Sequence, residues 1–393
     1  MLKYNPQFDG LRCFAVLFVL CYHWLPHTLG IQLSTFWGCT INFFFVLSSY
    51  LITMVLFSAR QKGALLGASK FKVMAVFLVR RTFRIFPAYY FFLLLALLVP
   101  SVGREIWGSP AAYFGYITNY HIYESGHFHP ALAHIWTLAV EEQLYLLWPL
   151  LILFVPNRHL LKTFLFLIVC TVANRFLFYD GSHEVGQAIL TQNCIDAFAV
   201  GAILAYKKQF ATEGEKKFIK WFFNAGLIAA ATLGTYIVLT EWYYLSFVFN
   251  RLLFALVSVK IIEGAAIGYK KIAGRVLEWK PVVSFGRMSY GIYLYHLLMP
   301  VAFWKLYNAI VSYGKVHYSS FFTNHQHGYA AFESIIASGP ACLAIYFLLT
   351  VAMAMLSAKY IEQPLSKLKV PYHFSFKKIP LLQRFIFSFQ NKR

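Results

Sequence analysis

Stretches of about twenty predominantly apolar residues, the length that crosses a hydrocarbon layer as a helix, recur along this chain with short polar breaks between them. They fall near residues 8–29, 36–57, 83–101, 135–155, 160–179, 187–206, 219–239, 245–267, 282–311 and 332–357. Lipid offers no hydrogen bonds to a peptide group, so each run must satisfy its own backbone as a helix. The expected fold is all-α: a polytopic helical membrane protein with about ten transmembrane helices. With 59% hydrophobic and only 13% charged residues in 393, the chain lies outside the range of soluble domains.

The formal charge of +20 is then distributed by topology. Lys and Arg collect in residues 58–84, 206–220 and 268–281 and after residue 358, while the alternate connections hold little beyond Arg104 and Lys315. This is the inside-positive pattern, and it predicts both termini in the cytoplasm. No soluble basic face is left over for nucleic acid. The domain reading is one membrane-embedded unit, 1–370, and a basic aromatic tail, 371–393, lying on the inner leaflet. Arg12 inside the first apolar run argues for a span kept in the chain rather than a cleaved leader. The six cysteines fall in or beside the spans, with no spacing for a metal site or a disulfide framework.

Ionisable residues inside apolar spans are costly, and they point to function. In FDGLRCFAVLFVLCYHW, Arg12 and His23 are eleven residues apart. That is three helical turns plus about 20°, so both share one face, separated by roughly 16 Å along the axis. In RRTFRIFP, Arg80, Arg81 and Arg84 sit within about one turn at a cytoplasmic mouth. Guanidinium groups there suit phosphate, and they equally suit flanking charge against anionic lipid. HIWTLAVEEQLYLLWP carries Glu141, Glu142, Gln143 and Tyr145 into the membrane from the other side. A buried Glu orients or accepts a proton from a histidine, or ties helices together. Adjacent residues diverge by about 100°, so one of the two carboxylates is expected to meet a given partner. In FGRMSYGIYLYHL, Tyr290, Tyr293 and His296 follow one face as a hydrogen-bond seam, and Glu362 ends the last span in KYIEQPL. The outer histidines His121, His127, His129, His317, His325 and His327 lack companion ligands at metal spacings and read as surface or acceptor-groove residues; no metal is expected.

With these residues in view the chain resembles the acyltransferase-3 family of integral membrane acyltransferases. The matching segments are FDGLRCFAVLFVLCYH, FFFVLSSYLIT, RRTFRIFPAYY, HIWTLAVEEQLYLLWP, FGRMSYGIYLYHL and YIEQPL, in the family's order from residue 8 to 365. There are departures. Ser48-Ser49-Tyr50 stands where the family has Ser-Gly-Phe, which questions close helix packing at Ser49. Asn42 stands where an acidic residue is common. Cys194 and Asp196 occur without the family's nearby Arg. The esterase-like outer domain that some members carry is not expected here.

The resemblance implies a membrane O-acyltransferase, commonly an O-acetyltransferase. It would move an acyl group from cytoplasmic acyl-CoA to a hydroxyl of an outer-side glycan such as lipopolysaccharide O-antigen or another surface polysaccharide, in a bacterial inner membrane. It implies His23, Glu141 and Arg12 as the catalytic set, Arg80, Arg81 and Arg84 as holders of the acyl-CoA phosphates, and Ser48, Glu142, Gln143, Tyr145, Tyr290 and His296 as support. His23 acts either as a base or as a transient acyl carrier. The partners expected are a glycan or glycolipid acceptor and the bilayer. A secondary transporter or glycan flippase is the rival reading, since intramembrane Arg, His and Glu also build proton relays. It needs no acyl donor and is disfavoured by the lack of an inverted repeat.

Overall fold

The computed structural model describes residues 4–29, 38–181, 184–317 and 334–366. The basic tail after residue 370, together with His325 and His327, lies outside them. Among the described residues every regular element is helical. In chain order these are α1 (Pro6–Leu29), α2 (Cys39–Leu65), α3 (Lys70–Leu97), α4 (Pro100–Gly108), α5 (Pro110–Phe114), α6 (Thr118–Ser125), α7 (Trp136–Phe154), α8 (Asn157–Leu177), α9 (Glu184–Ala188), α10 (Ile195–Gln209), α11 (Glu213–Thr240), α12 (Tyr243–Ile267), α13 (Lys271–Leu277), α14 (Lys280–Arg287), α15 (Ser289–Tyr295), α16 (Leu298–His317) and α17 (Gly339–Ser357). A 3-10 turn, Ala133–Ile135, leads into α7, and a π-turn, Ala358–Glu362, follows α17.

Among the described residues seven helices are long and apolar enough to cross a membrane: α1, α2, α7, α8, α11, α12 and α17. The pair α3 and α4, bent by 117°, brings the number to eight if it counts as one broken span. Three of the ten expected spans are therefore not continuous helices: the run at 83–101 crosses the break between α3 and α4, and two more are interrupted. The run at 187–206 resolves into the one-turn α9, a 3-10 turn and the 15-residue α10, whose centre is buried on all sides. The run at 282–311 is cut into α14, α15 and α16. The third run also begins earlier than expected. α3 starts at Lys70, capped by the Ser69 hydroxyl on the Lys72 amide, so the arginines sit inside a helix rather than at its edge.

Two aromatic-rich cores share a seam. One gathers around α2, α7, α8, α10 and α12, with Phe45, Tyr145, Trp148 and Phe198 buried in it. The other gathers around α1, α3, α15 and α17, with Trp24, Tyr89, Phe92 and Tyr295. Phe44, Phe86 and Tyr290 pack against both. α2 is the most enclosed crossing and α11 the least, which places α2 at the centre and α11 against lipid.

Close helix packing survives the serine at position 49. Ser49 is fully buried and donates its hydroxyl to the Phe198 carbonyl across α2 and α10. The missing glycine is on the other helix: a Cβ at Gly201 would run into the Val46 carbonyl. The acid at Asp196 also has its arginine, supplied from α8 as a fully buried ion pair with Arg175. Neither partner is adjacent in sequence. Gly201→Ala is expected to cost about 1–3 kcal/mol through overpacking, and Ser49→Gly about 1 kcal/mol for one buried hydrogen bond. Thermal melting of the detergent-purified variants measures both; a Gly201→Ala protein as stable as wild type would contradict this packing.

Candidate functional site

α1 carries the two levels of the site. On its first turns, Asp9 accepts from Arg12 at 2.9 Å, an i,i+3 pair, and lies 3.5 Å from the Arg287 guanidinium of α14. Tyr4 closes this group: its hydroxyl donates to Asp9 at 2.7 Å and accepts from Arg287 at 2.8 Å. α14 comes this close because Gly286 lies against the Asp9 carbonyl, where no Cβ has room.

Inward from these residues opens a cavity of about 180 Å³, at the seam between the two cores. That is smaller than pockets that swallow a drug-sized molecule whole, about 300–1,000 Å³, so a larger ligand enters by one end. Four arginines line it, Arg12, Arg81, Arg84 and Arg287, facing the carboxylates of Glu141, Glu142 and Glu362. The Arg81 guanidinium stacks on the Tyr145 ring at 4.2 Å from its centroid. Tyr145 donates to Glu141 one turn back on α7, at 2.7 Å, and its phenolic oxygen lies 2.5 Å from the Ser48 hydroxyl of α2. The i,i+4 spacing of Glu141 and Tyr145 puts them on one helix face. Both adjacent glutamates line the cavity, because it is wide enough to meet two faces of α7. Glu142 keeps one carboxylate oxygen buried with no hydrogen bond among the described residues.

One residue, Tyr293, separates this cavity from a second level. Its hydroxyl lies 2.8 Å from the Thr137 hydroxyl and donates to the His134 carbonyl at 3.1 Å. Beyond it three imidazoles meet. The His23 and His296 ring centroids are 5.0 Å apart, and those of His134 and His296 are 4.8 Å apart. The helix lapses between Tyr295 and Leu298, and its last carbonyls bond to side chains instead. Tyr293 O takes His296 Nδ1 at 2.6 Å, Leu294 O takes His134 Nε2 at 3.0 Å, and His296 O takes the Trp24 indole N–H at 3.1 Å. Pro300, four residues after His296, has no N–H to offer that last carbonyl.

Of the expected residues, Arg12, Ser48, Arg81, Arg84, Glu141, Glu142, Tyr145 and Tyr290 line one cavity, and His23 and His296 lie together above it. Arg80 is exposed and outside the lining. Gln143 turns away, bonding the Tyr116 carbonyl, Asn119 and Thr191, and so ties α7 to α6. Glu141 lies among Tyr145, Ser48 and the charges of Arg81 and Arg12. His134, Asp9, Arg287, Tyr293 and Glu362 complete the two levels. Asp9 was visible in FDGLR as the i−3 neighbour of Arg12; His134 was not, since it acts from a turn before the helix that it introduces. Among the described residues no group of three or more His, Cys, Asp or Glu is placed to hold a metal ion.

A family model described as an acyltransferase domain matches residues 5–359. The chain belongs to the acyltransferase-3 family. Among its curated relatives, the peptidoglycan O-acetyltransferase OatA of Listeria monocytogenes is 27% identical over 315 residues, covering 75% of this chain and 49% of the relative. The O-acetyltransferase OatA of Staphylococcus aureus is 26% identical over 391 residues, 93% of this chain and 58% of the relative. The chain thus spans about half the length of these relatives. No solved structure matches. In this acyltransferase-3 protein Tyr145→Phe should unhook Glu141 at the cost of one charged hydrogen bond, about 1.5–3 kcal/mol. The result expected is a lowered melting temperature and displaced Arg81; an unchanged melt would show that the bond contributes nothing.

Proposed function

We propose that this protein is a membrane O-acyltransferase moving an acyl group, acetyl in the first instance, from cytoplasmic acyl-CoA to a hydroxyl of a cell-surface glycan. The observation that carries the reading is an arginine-lined cavity beneath a histidine cluster, the two levels joined along α1 by Arg12 and His23. Family membership and the O-acetyltransferase relatives support the reaction class. The peptidoglycan named for the Listeria relative puts that polymer ahead of lipopolysaccharide O-antigen as the first acceptor to examine. The inside-positive loops support a cytoplasmic donor side and a multi-pass protein of a bacterial inner membrane.

The residues present fit such a donor. Arg81 keeps its Nε buried without a hydrogen bond among the described residues, and Arg12, Arg84 and Arg287 stand round the same space. Guanidinium groups bind phosphate with paired hydrogen bonds. Arg12, Arg81 and Arg84 hold the phosphates, and Glu141 with Tyr145 holds Arg81 in place. The donor supplies an acyl thioester. His23 removes the proton from the attacking hydroxyl as its oxygen bonds to the acyl carbon, and returns that proton to the departing sulfur. Tyr293, Thr137 and the aromatic wall exclude water, which would otherwise take the acyl group.

Mass spectrometry of surface glycans from cells with wild-type protein, His23→Ala, or no protein tests the reaction. An added acetyl mass on the glycan only with wild type is expected; the same mass with His23→Ala, at equal membrane amounts, sinks the role of His23. In purified protein, Arg84→Gln is expected to raise KM for acetyl-CoA about tenfold with kcat retained, the signature of lost ground-state binding. A change confined to kcat would place Arg84 outside the donor site.

A further inference from the structure

His134 and His296 are buried, where an unpaired imidazolium is costly, and the backbone fixes the tautomer of each neutral ring. A carbonyl oxygen only accepts, so the ring nitrogen facing it carries the hydrogen. That puts the proton of His296 on Nδ1, against Tyr293 O, and the proton of His134 on Nε2, against Leu294 O. The other nitrogens, His296 Nε2 and His134 Nδ1, are then bare lone pairs. Both are buried and have no hydrogen-bond partner among the described residues. A buried acceptor left unpaired loses its hydration with nothing in return, and two in one cluster need an explanation.

The ring spacing supplies one. Two imidazoles joined by an N–H···N bond of ordinary length stand about 5 Å apart between centroids. His23 and His296 stand 5.0 Å apart with their planes at 52°. A turn of the His23 ring alone, with no backbone movement, would aim one of its nitrogens at His296 Nε2 while His296 keeps its bond to Tyr293 O. We propose that His296, backed by His134, is a positioning residue for His23. Its bare nitrogen accepts the N–H of His23, leaves the second His23 nitrogen unprotonated toward the hydroxyl, and stabilises the imidazolium that forms when His23 takes the hydroxyl proton. The device replaces the carboxylate that orients a catalytic histidine elsewhere with an uncharged one. Glu141 lies instead in the arginine level. The inference rests on the acyltransfer reading above.

The two amide isosteres separate the two ends of each ring. Gln places its oxygen where Nε2 stands and Asn places a donor where Nδ1 stands. At position 296, Gln therefore keeps the acceptor and Asn keeps only the anchor to Tyr293 O. The assay uses purified protein in nanodiscs, acetyl-CoA, and the glycan fraction of the expressing cells. His296→Asn is expected to lower kcat about tenfold to a hundredfold, the worth of a hydrogen bond to a charged partner, with KM for acetyl-CoA within about twofold. His296→Gln is expected to recover activity to within about threefold of wild type, a far smaller loss than that bond. The reverse order, Asn active and Gln inactive, overturns the proposal and leaves the Tyr293 anchor as the only role. Equal activities of the two variants overturn it too. If His296→Asn does not fold, His296→Gln decides alone: activity within about threefold of wild type sustains the acceptor role, and its loss at equal membrane amounts overturns it. Wild type that turns over no acetyl-CoA refutes the acyltransfer reading itself, whereas active wild type, dead His23→Ala and indifferent 296 variants refute this inference alone.

Discussion

A carbonyl left open by a helix break inside a membrane must find a donor, because lipid provides none. The break after α15 opens three of them, on Tyr293, Leu294 and His296, and each is met by a side chain: His296 Nδ1, His134 Nε2 and Trp24 Nε1. Those bonds bring α1 and the turn before α7 onto α15. They orient two imidazoles and set them beside His23. Had α15 and α16 formed one continuous span, the same carbonyls would have bonded within the helix, and nothing would hold His134 where it stands. The discontinuity is what builds the upper level of the site.

The lower level depends on a different constraint. Arginine keeps its charge at any accessible pH, so each one in the cavity wall has to be matched or stacked. Arg12 has Asp9, Arg287 has Tyr4 and Asp9, Arg81 has the Tyr145 face and the charges of Glu141 and Glu142, and Arg84 has the charge of Glu362. The glutamates of α7 are the counter-charges of this level. The hydroxyls of Ser48 and Tyr145 hold one of them in a fixed position. Charged groups so anchored lose little further freedom when a ligand arrives.

The all-helical class and the shared face of Arg12 and His23 were legible because both follow from period and length, which are local. The arginine cluster was legible as a group, though its members diverge: Arg81 and Arg84 turn to the cavity and Arg80 does not. The broken spans were not legible. Residues 282–311 read as one long apolar run, and the cut at His296 is set by packing against Trp24 and by Pro300. His134 was hidden for the same reason. Its role depends on a carbonyl 160 residues away, and no spacing rule reaches that far. Gln143 shows the opposite error. It shares a segment with the glutamates, yet its partners are on α6 and the turn before α10.

The departures from the family pattern are resolved in space rather than along the chain. Asn42, standing where an acid is common, accepts from Arg251 at 3.1 Å, and the same guanidinium donates to the Ala188 carbonyl at 2.6 Å. Arg175 pairs with Asp196, and Ser49 bonds to α10 across from Gly201. All three devices act on the faces of α2 and α10 away from the cavity, while Phe44, Phe45, Leu47 and Ser48 of α2 form its wall. A buried ion pair contributes little net stability against an apolar pair of the same shape, but losing one partner costs about 3–5 kcal/mol. The pair therefore punishes any alternative register of α10 against α8, and Ser49 and Asn42 tie α2 to that frame through α10 and α12. Register is what aims Ser48 at Tyr145. The polar network behind the wall and the arginine level in front of it are thus one constraint, passed through a helix that is buried on nearly every side.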